Sequence, residues 1–469
     1  MTDPSPMPPA PHGPADLLSF RGGWLGAFAP FVVFLGGVSW LGLSGAPDET
    51  GFGPILLLAL GVGVFLARDP SRYAEAVIDG MSHRIVTLLI LAWLLAGVLG
   101  VILRDSGLVD ALTWGATATG VRGGGFAVAT FLVCAVFSTA TGTSLGTILV
   151  CAPLLYPAAA SLGTDPAFAI GAVLAGATFG DNISPISDTT IASATTQSAD
   201  LGGVVRSRMR YALPAAAVAI VMFASFGGAA DQPGDLPSGG DPSGLVMLIV
   251  PAGVLVLLLR RTHLVVGLFA GIGAGILLGL LLGRFRPTDL LAIDPANFIA
   301  SGIILDGMRR AFGVSIFTIL LMGLVGGLTA SGLLDRLITW IEARAKTLRS
   351  AEWWIFGSIS GATVLTTHSA VAILTVGPLA KELGVKSGID AYRRANILDI
   401  AVCTYPFLLP FFIPTILAAS MTAGIDGLPR LSPWTAGLHN VHSWALLITL
   451  MASIAIGRPR PAEAGPPED

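Results

Sequence analysis

The sequence predicts an all-α polytopic membrane protein of two inverted repeats, each with a re-entrant hairpin and a broken transmembrane helix, about 10 spans plus 2 hairpins. Three observations carry that prediction. Charge is scarce and confined between long apolar runs, the second half of the chain repeats the first, and polar clusters with proline interrupt otherwise apolar segments.

Hydrophobic residues make up 53% of the 469 and charged residues 12%, about half the charge of a soluble domain, where roughly 25% is usual. Runs such as Val246–Leu259 and Val265–Leu282 approach the ~20 residues that match a ~30 Å hydrocarbon core. Glycine is abundant at 59 residues, as close helix packing in lipid requires. The net charge of −3 comes with no basic tract, so nothing points to nucleic acid. Cys134, Cys151 and Cys403 lie in apolar stretches without metal-ligand spacing or a disulfide framework. There is no Gly-x-x-x-x-Gly-Lys-Ser/Thr loop and no His-Glu-x-x-His signature, which argues against an ATPase or a zinc protease. No cofactor is expected.

The duplication is read at one offset. Ser106-Gly107-Leu108 with Asp110 and Leu112 recurs 225 positions later as Ser331-Gly332-Leu333 with Asp335 and Leu337. At the same offset Thr141, Ser144, Pro153 and Leu154 meet Thr366, Ser369, Pro378 and Leu379, and Pro185 meets Pro410. Asp79-Gly80-Met81 meets Asp306-Gly307-Met308 with a two-residue slip. These matches divide the chain into a disordered tail (1–20), N-terminal helices (21–75), a first transport repeat (76–230), connecting helices (231–300), a second transport repeat (301–457) and a C-terminal tail (458–469).

Spans are expected near 24–44, 52–67, 84–103, 166–200, 211–230, 244–259, 262–283, 311–330, 393–420 and 437–457. Segments 124–160 and 353–380 are expected to be hairpins. Arg344, Lys346 and Arg349 precede the second hairpin, and Lys381, Lys386, Arg393 and Arg394 follow it. Positive charge at both ends implies a segment that goes in and returns. Each arm reads as about 14 residues, about 21 Å, short for a crossing. Most Lys and Arg then fall on one side with both termini, which places the termini in the cytoplasm. Arg284, Arg286, Arg309 and Arg310 are left outside, and Arg206, Arg208 and Arg210 read as a cytoplasmic anchor. Halves of opposite orientation are the inverted repeats of secondary transporters.

An ionisable side chain at the bilayer centre costs about 2.5–3.5 kcal/mol on insertion scales. Asp181, Asp188, Asp399 and His368 nevertheless fall in apolar segments. Pro185 removes a backbone donor, and Gly180, Asn182 and Ser184 compete with regular helix, so a break is expected within 181–187. Asp181, Asn182, Ser184, Asp188 and Thr189, joined by Asp399 from the second half, then converge as hard oxygen ligands, which suit Na⁺ better than a soft metal. Both acids are expected to be held dry. Asn396 and Asp399 lie one turn apart upstream of Pro406, Pro410 and Pro414, where a second broken helix belongs. Asp399 aligns with Leu174, not with Asp181, so the repeats differ in chemistry.

The hairpin tips, with Thr141, Thr143 and Ser144 in one and Thr366, Thr367 and His368 in the other, are expected to contribute to substrate or coupling together with Asn396. The bland reading is that such hydroxyls bond back to their own helices and that Asn396 bonds a neighbouring helix.

The run Phe179-Gly180-Asp181-Asn182-Ile183-Ser184-Pro185-Ile186-Ser187-Asp188-Thr189-Thr190 closely resembles the signature of the NhaC-type sodium/proton antiporter family. Thr139-Ala140-Thr141-Gly142-Thr143-Ser144 and Arg394-Ala395-Asn396-Ile397-Leu398-Asp399 look like further segments of it. The resemblance covers about residues 80–455. It implies the wider ion-transporter superfamily, a multi-pass protein of a prokaryotic plasma membrane, often a dimer, with Asp181, Asn182, Ser184 and Asp188 binding or coupling the ion. The acidic–histidine patch that many members carry after the signature is missing: Asp200-Leu201-Gly202-Gly203-Val204 contains no histidine. A Na⁺- or H⁺-coupled carrier of an organic anion or amino acid is the main alternative, and a two-aspartate intramembrane protease a distant one.

Overall fold

Helix boundaries recur at the offset read from the sequence. The computed structural model describes residues 17–457 except 45–48, 109–110, 112–113, 116–117, 119, 186, 229–240, 261, 296–297, 334–346 and 426–427. Asp110, Asp335, Arg344, Lys346 and both terminal tails through residue 16 and from 458 lie outside the described residues.

The chain runs through α1 (Trp24–Leu43), α2 (Glu49–Leu66), α3 (Pro70–Met81) and α4 (Arg84–Asp105). The first hairpin is α5 (Gly124–Thr141) and α6 (Ser144–Ser161). Then come α7 (Pro166–Ile183), α8 (Asp188–Thr196) and α9 (Leu201–Phe226). A 3₁₀ turn (Pro242–Leu248) leads into α10 (Ile249–Leu259) and α11 (Leu264–Leu281). The second half has α12 (Ile303–Arg310), α13 (Phe312–Ala330) and the hairpin α14 (Leu348–Thr366) and α15 (Ser369–Lys386). It ends with α16 (Ala391–Val402), α17 (Ile413–Ser420), α18 (Pro433–Leu438) and α19 (Val441–Ile456).

Among the described residues, seven helices are long and apolar enough to cross a membrane. The connecting region is not purely helical. Ala292–Asp294 pairs antiparallel with Ile299–Ser301, where Pro295 stops any helix and β-branched Ile293 and Ile299 favour extended backbone.

The paired motifs adopt paired local structures. Ser106 Oγ donates to Leu103 O (2.7 Å) and Ser331 Oγ to Leu328 O (2.6 Å). Gly107 and Gly332 follow in left-handed conformation at φ 81° and 65°, so both motifs end a helix in the way that glycine makes cheap. α5 and α14 stop at Thr141 and Thr366, α6 and α15 start at Ser144 and Ser369, and α7 and α16 start at Pro166 and Ala391. Packing is crossed between the halves: α3 lies on α13 and α12 on α4. The glycines of the two Asp-Gly-Met triplets make these contacts, since a Cβ at Gly80 would overlap Met322 and Gly326, and one at Gly307 would overlap Gly97 and Val98.

Three expectations change. The hairpin arms have 18 or 19 residues, about 27 Å at 1.5 Å per residue, and not 14. Their hydroxyls return to the same helix, as in Thr139 Oγ1 to Ala135 O (2.7 Å) and Thr141 Oγ1 to Phe137 O (2.8 Å), so polar residues do not unwind the arms early.

α9 starts at Leu201 and not near 211, capped by the Asp200 carboxylate on Gly203 N–H (2.7 Å). Arg206, Arg208 and Arg210 are therefore helical, and Arg208 is fully buried.

Arg393 and Arg394, read as solvated flanks, are also buried. Arg393 Nε donates to Glu352 Oε1 (2.8 Å) and Arg394 Nε to Gln197 Oε1 (2.9 Å). Of the other arginines left outside, Arg284 pairs with Asp241 (3.4 Å) and Arg309 with Asp306 (3.3 Å).

Candidate functional site

The site is assembled where α7 ends against the first hairpin. Gly176 and Gly180, one turn apart on α7, press on α5, and a Cβ on either would overlap Phe131 to Thr139 of that helix. Small residues at this spacing let two backbones approach. Ser138 Oγ then donates to Ala177 O (2.7 Å) and Ser184 Oγ to Thr139 O (2.8 Å). Ser184 is thus a tie between the broken helix and the hairpin tip.

The helix breaks as expected. α7 ends at Ile183, α8 begins at Asp188, and Pro185 lies in the gap. The second break follows α16, with irregular backbone from Cys403 to Phe412 apart from a 3₁₀ turn at Tyr405–Phe407, before Pro414 enters the first turn of α17.

Asp181 is buried at 6% exposure and held by two hydroxyls. Ser144 Oγ donates to its Oδ2 (2.8 Å) and Ser187 Oγ to its Oδ1 (2.7 Å). Ser187 Oγ lies 3.0 Å from Thr189 Oγ1, which lies 3.6 Å from Cys403 Sγ. Cys403 Sγ in turn approaches Asp399 Oδ2 at 3.8 Å. One polar chain therefore joins Asp181 to Asp399.

Asp188 departs from the expectation that both acids are dry: it is exposed on the wall of a cavity. It is the first residue of α8, and its Oδ1 accepts from Thr189 N–H (2.9 Å), where the helix N-terminus favours negative charge.

That cavity has a volume of about 270 Å³. Asp181, Asp188, Thr189, Thr143, Ser144 and the second hairpin tip line it, and no Lys or Arg is among its described lining residues. Thr143 Oγ1 also accepts from Gly146 N–H (3.2 Å) at the start of α6. Thr367 sits at φ 52°, a left-handed conformation uncommon for a β-branched residue. Its hydroxyl donates to Thr366 O (2.8 Å). His368 caps α15 through Nδ1 and lines the cavity. Thr141 and Thr366 bond back to Phe137 O and Ala362 O, and neither lines the cavity.

Asp399 lies behind that wall, fully buried, with Arg208 Nη1 2.6 Å from its Oδ2. Asn182 Nδ2 donates to the same oxygen (2.9 Å). Arg208 further donates from Nη1 to Asn182 O (2.5 Å) and Thr190 Oγ1 (2.8 Å), from Nε to Asn396 Oδ1 (3.2 Å) and from Nη2 to Ser193 Oγ (3.4 Å). Asn396 Nδ2 donates to Ser207 Oγ (2.7 Å), so Asn396 joins two helices, as its bland reading had it. Asn182 Oδ1 and Asp399 Oδ1 are buried without a hydrogen-bond partner, which native structures seldom tolerate.

Sequence reasoning missed Arg208 as a member of this network. The signal was the buried spacing of Val204, Arg208, Tyr211, Ala212 and Ala215, which puts Arg208 on the packed face of a helix. Cys403 and His442 were also missed. His442 is fully buried with its ring 5.4 Å from that of Phe179 and 6.1 Å from that of Phe131.

Residues 19–228 match the model of the Na⁺/H⁺ antiporter family, a stretch that contains the first hairpin, the broken helix and Arg208. The match agrees with the resemblance carried by the run from Phe179 to Thr190. The Na⁺/H⁺ antiporter NhaC of Alkalihalophilus pseudofirmus is 25% identical over 391 residues, covering 79% of this chain and 83% of that protein. The malate-2H⁺/Na⁺-lactate antiporter of Bacillus subtilis is 29% identical over 102 residues, 22% of each chain. With seven long apolar helices among the described residues, the chain is a multi-pass membrane protein.

Proposed function

We propose that the chain is a secondary active transporter that exchanges Na⁺ for H⁺ at Asp181 and Asp188. The carrying observation is a cavity with two carboxylates, several hydroxyls and no described Lys or Arg, placed against a helix break inside an apolar bundle. A carboxylate that holds either a proton or a Na⁺ ion, and not both, couples the two ions when only an occupied site can be carried across. Competition fixes the sign: apparent Na⁺ affinity falls as pH falls.

In this reading Asp181 is the exchanging group, with Ser144 and Ser187 orienting its two oxygens. Asp188 and Thr189 complete the oxygen set at the cavity wall. Asp399 pairs with Arg208 and fixes Asn182 by accepting from its Nδ2. The unpartnered Asn182 Oδ1 and Asp399 Oδ1 add acceptor oxygens close to the break, suited to a hard cation.

We also read the two halves as inverted repeats with re-entrant hairpins and both termini cytoplasmic in a prokaryotic plasma membrane. Support comes from the shared helix boundaries, the crossed α3–α13 and α12–α4 contacts and the distribution of positive charge.

An organic-acid exchanger would need a cation for the substrate carboxylate. Among the described residues, the cavity walls supply two carboxylates and only His368 as a candidate. Purified protein in proteoliposomes is expected to move protons outward when Na⁺ is added outside acid-loaded vesicles, with Na⁺ dependence and no requirement for malate or lactate. Proton movement that needs either acid and ignores Na⁺ would replace this reading with the alternative.

A further inference from the structure

A second and larger cavity, about 600 Å³, adjoins the first. Its walls include Glu75 and Asp79 of α3, His83 in the turn that follows, and Val325 and Thr329 of α13. His368 lines both cavities. Thr366 borders only the larger and Thr367 only the smaller, while His83 borders the larger and Leu89, further along α4, the smaller. The partition between the two spaces is therefore the tip of one hairpin and the beginning of α4, with His368 shared by the walls of both.

We propose that the larger cavity is the path by which hydrated monovalent cations reach Asp188 and Asp181, and that the His368 side chain closes the neck between the two spaces. The proposal rests on the Na⁺/H⁺ exchange reading and adds to it a route and a gate. An ion cannot cross apolar packing without its water, because an isolated charge loses its hydration there with nothing to replace it. It needs a polar space that leads to its ligands. Glu75 and Asp79 are exposed there, and among the described lining residues Arg72 carries the one guanidinium, an excess of negative charge that concentrates cations in a cleft. The gate sits at the one hairpin tip where a β-branched residue, Thr367, holds a left-handed conformation. Backbone outliers of this kind cluster at ligand clamps and switch regions.

Thr329 is the place to test the path. It is exposed on the larger cavity, and among the described residues its hydroxyl bonds Val325 O of its own helix (2.9 Å). The native cysteines, Cys134, Cys151 and Cys403, are free and buried. Thr329→Cys protein in proteoliposomes is treated with a trimethylammonium-ethyl methanethiosulfonate, labelling is verified by intact mass, and ²²Na⁺ uptake is followed. Labelling is expected to slow uptake about tenfold or more, and dithiothreitol to restore it. His368→Trp, which fills the neck, is expected to slow uptake to a similar extent while Na⁺ still displaces protons from the solubilised protein at equilibrium. A merely structural role for His368 would lose both together. Complete labelling with uptake within twofold of the unlabelled variant would overturn the path. His368→Trp uptake within twofold of the unsubstituted protein, or loss of its equilibrium proton displacement, would overturn the gate. If the unsubstituted protein itself moves no Na⁺, the exchange reading fails along with the path. If it moves Na⁺ while labelling does nothing, only the path fails.

Discussion

Arg208→Ala is expected to destabilise the protein by about 3–5 kcal/mol, the cost of removing one partner of a buried ion pair. Neither Arg208 nor Asp399 has exposed side-chain surface, so alanine would leave Asp399 charged and uncompensated inside the bundle. It would also strip a donor from Asn182 O, Thr190 and Asn396 at once. These groups belong to α7, α8 and α16, the helices on either side of the two breaks, so their mutual position should loosen together. Arg208→Lys keeps the charge and loses the planar fork that serves several acceptors, and should fall between the two. Replacing both partners, as in Arg208→Met with Asp399→Leu, should recover much of the loss, because a buried pair is often no more stable than an apolar substitute of similar volume. Thermal unfolding followed by intrinsic fluorescence in detergent checks the order: unsubstituted, then double variant, then Lys, then Ala. An Arg208→Ala midpoint equal to that of the unsubstituted protein would show that the pair contributes nothing.

Asp181→Asn is expected to abolish Na⁺-dependent proton flux while the protein remains folded. Asparagine has nearly the same shape and retains one acceptor oxygen for Ser144 or Ser187, so the local hydrogen bonds weaken and do not vanish. What it cannot do is exchange a proton for a cation. Proteoliposome flux should drop to the protein-free background across pH, with an unfolding midpoint close to that of the unsubstituted protein. Asp188→Asn is expected to weaken apparent Na⁺ affinity more than maximal rate, because Asp188 lies on the cavity wall and shares none of the buried hydroxyl clamp. Retained flux in Asp181→Asn would remove Asp181 from the exchange.

Much of this arrangement was legible in the residues. Pro185, with Gly180, Asn182 and Ser184 around it, announces the break between Ile183 and Asp188 because these residues disfavour continuous helix. The offset that pairs Thr141 with Thr366 and Ser144 with Ser369 also pairs the two hairpin tips, where α5 and α14 stop and α6 and α15 start. Arg208 was not legible by the same means. Counting Lys and Arg per loop assumes that charge lies outside helices, and Gly202-Gly203 disguised the start of α9 because glycine is a poor helix former. The Asp200 cap and the spacing from Val204 to Ala215 hold the information, but only for a reader willing to bury an arginine. The exposure of Asp188 was hidden for a related reason. Sequence places it in an apolar segment, whereas the cavity that wets it is made by residues from α4, both hairpins and the second break, which only folding brings together.

The central claim is that one carboxylate, Asp181, holds either a proton or a sodium ion. The most direct test is proton release on Na⁺ addition to purified protein in weakly buffered detergent, read with a pH indicator and referenced to choline, since cation binding to a protonated ligand must expel its proton. A saturable release from the unsubstituted protein that disappears in Asp181→Asn is the expected result. No release, or an equal release from Asp181→Asn, would contradict it.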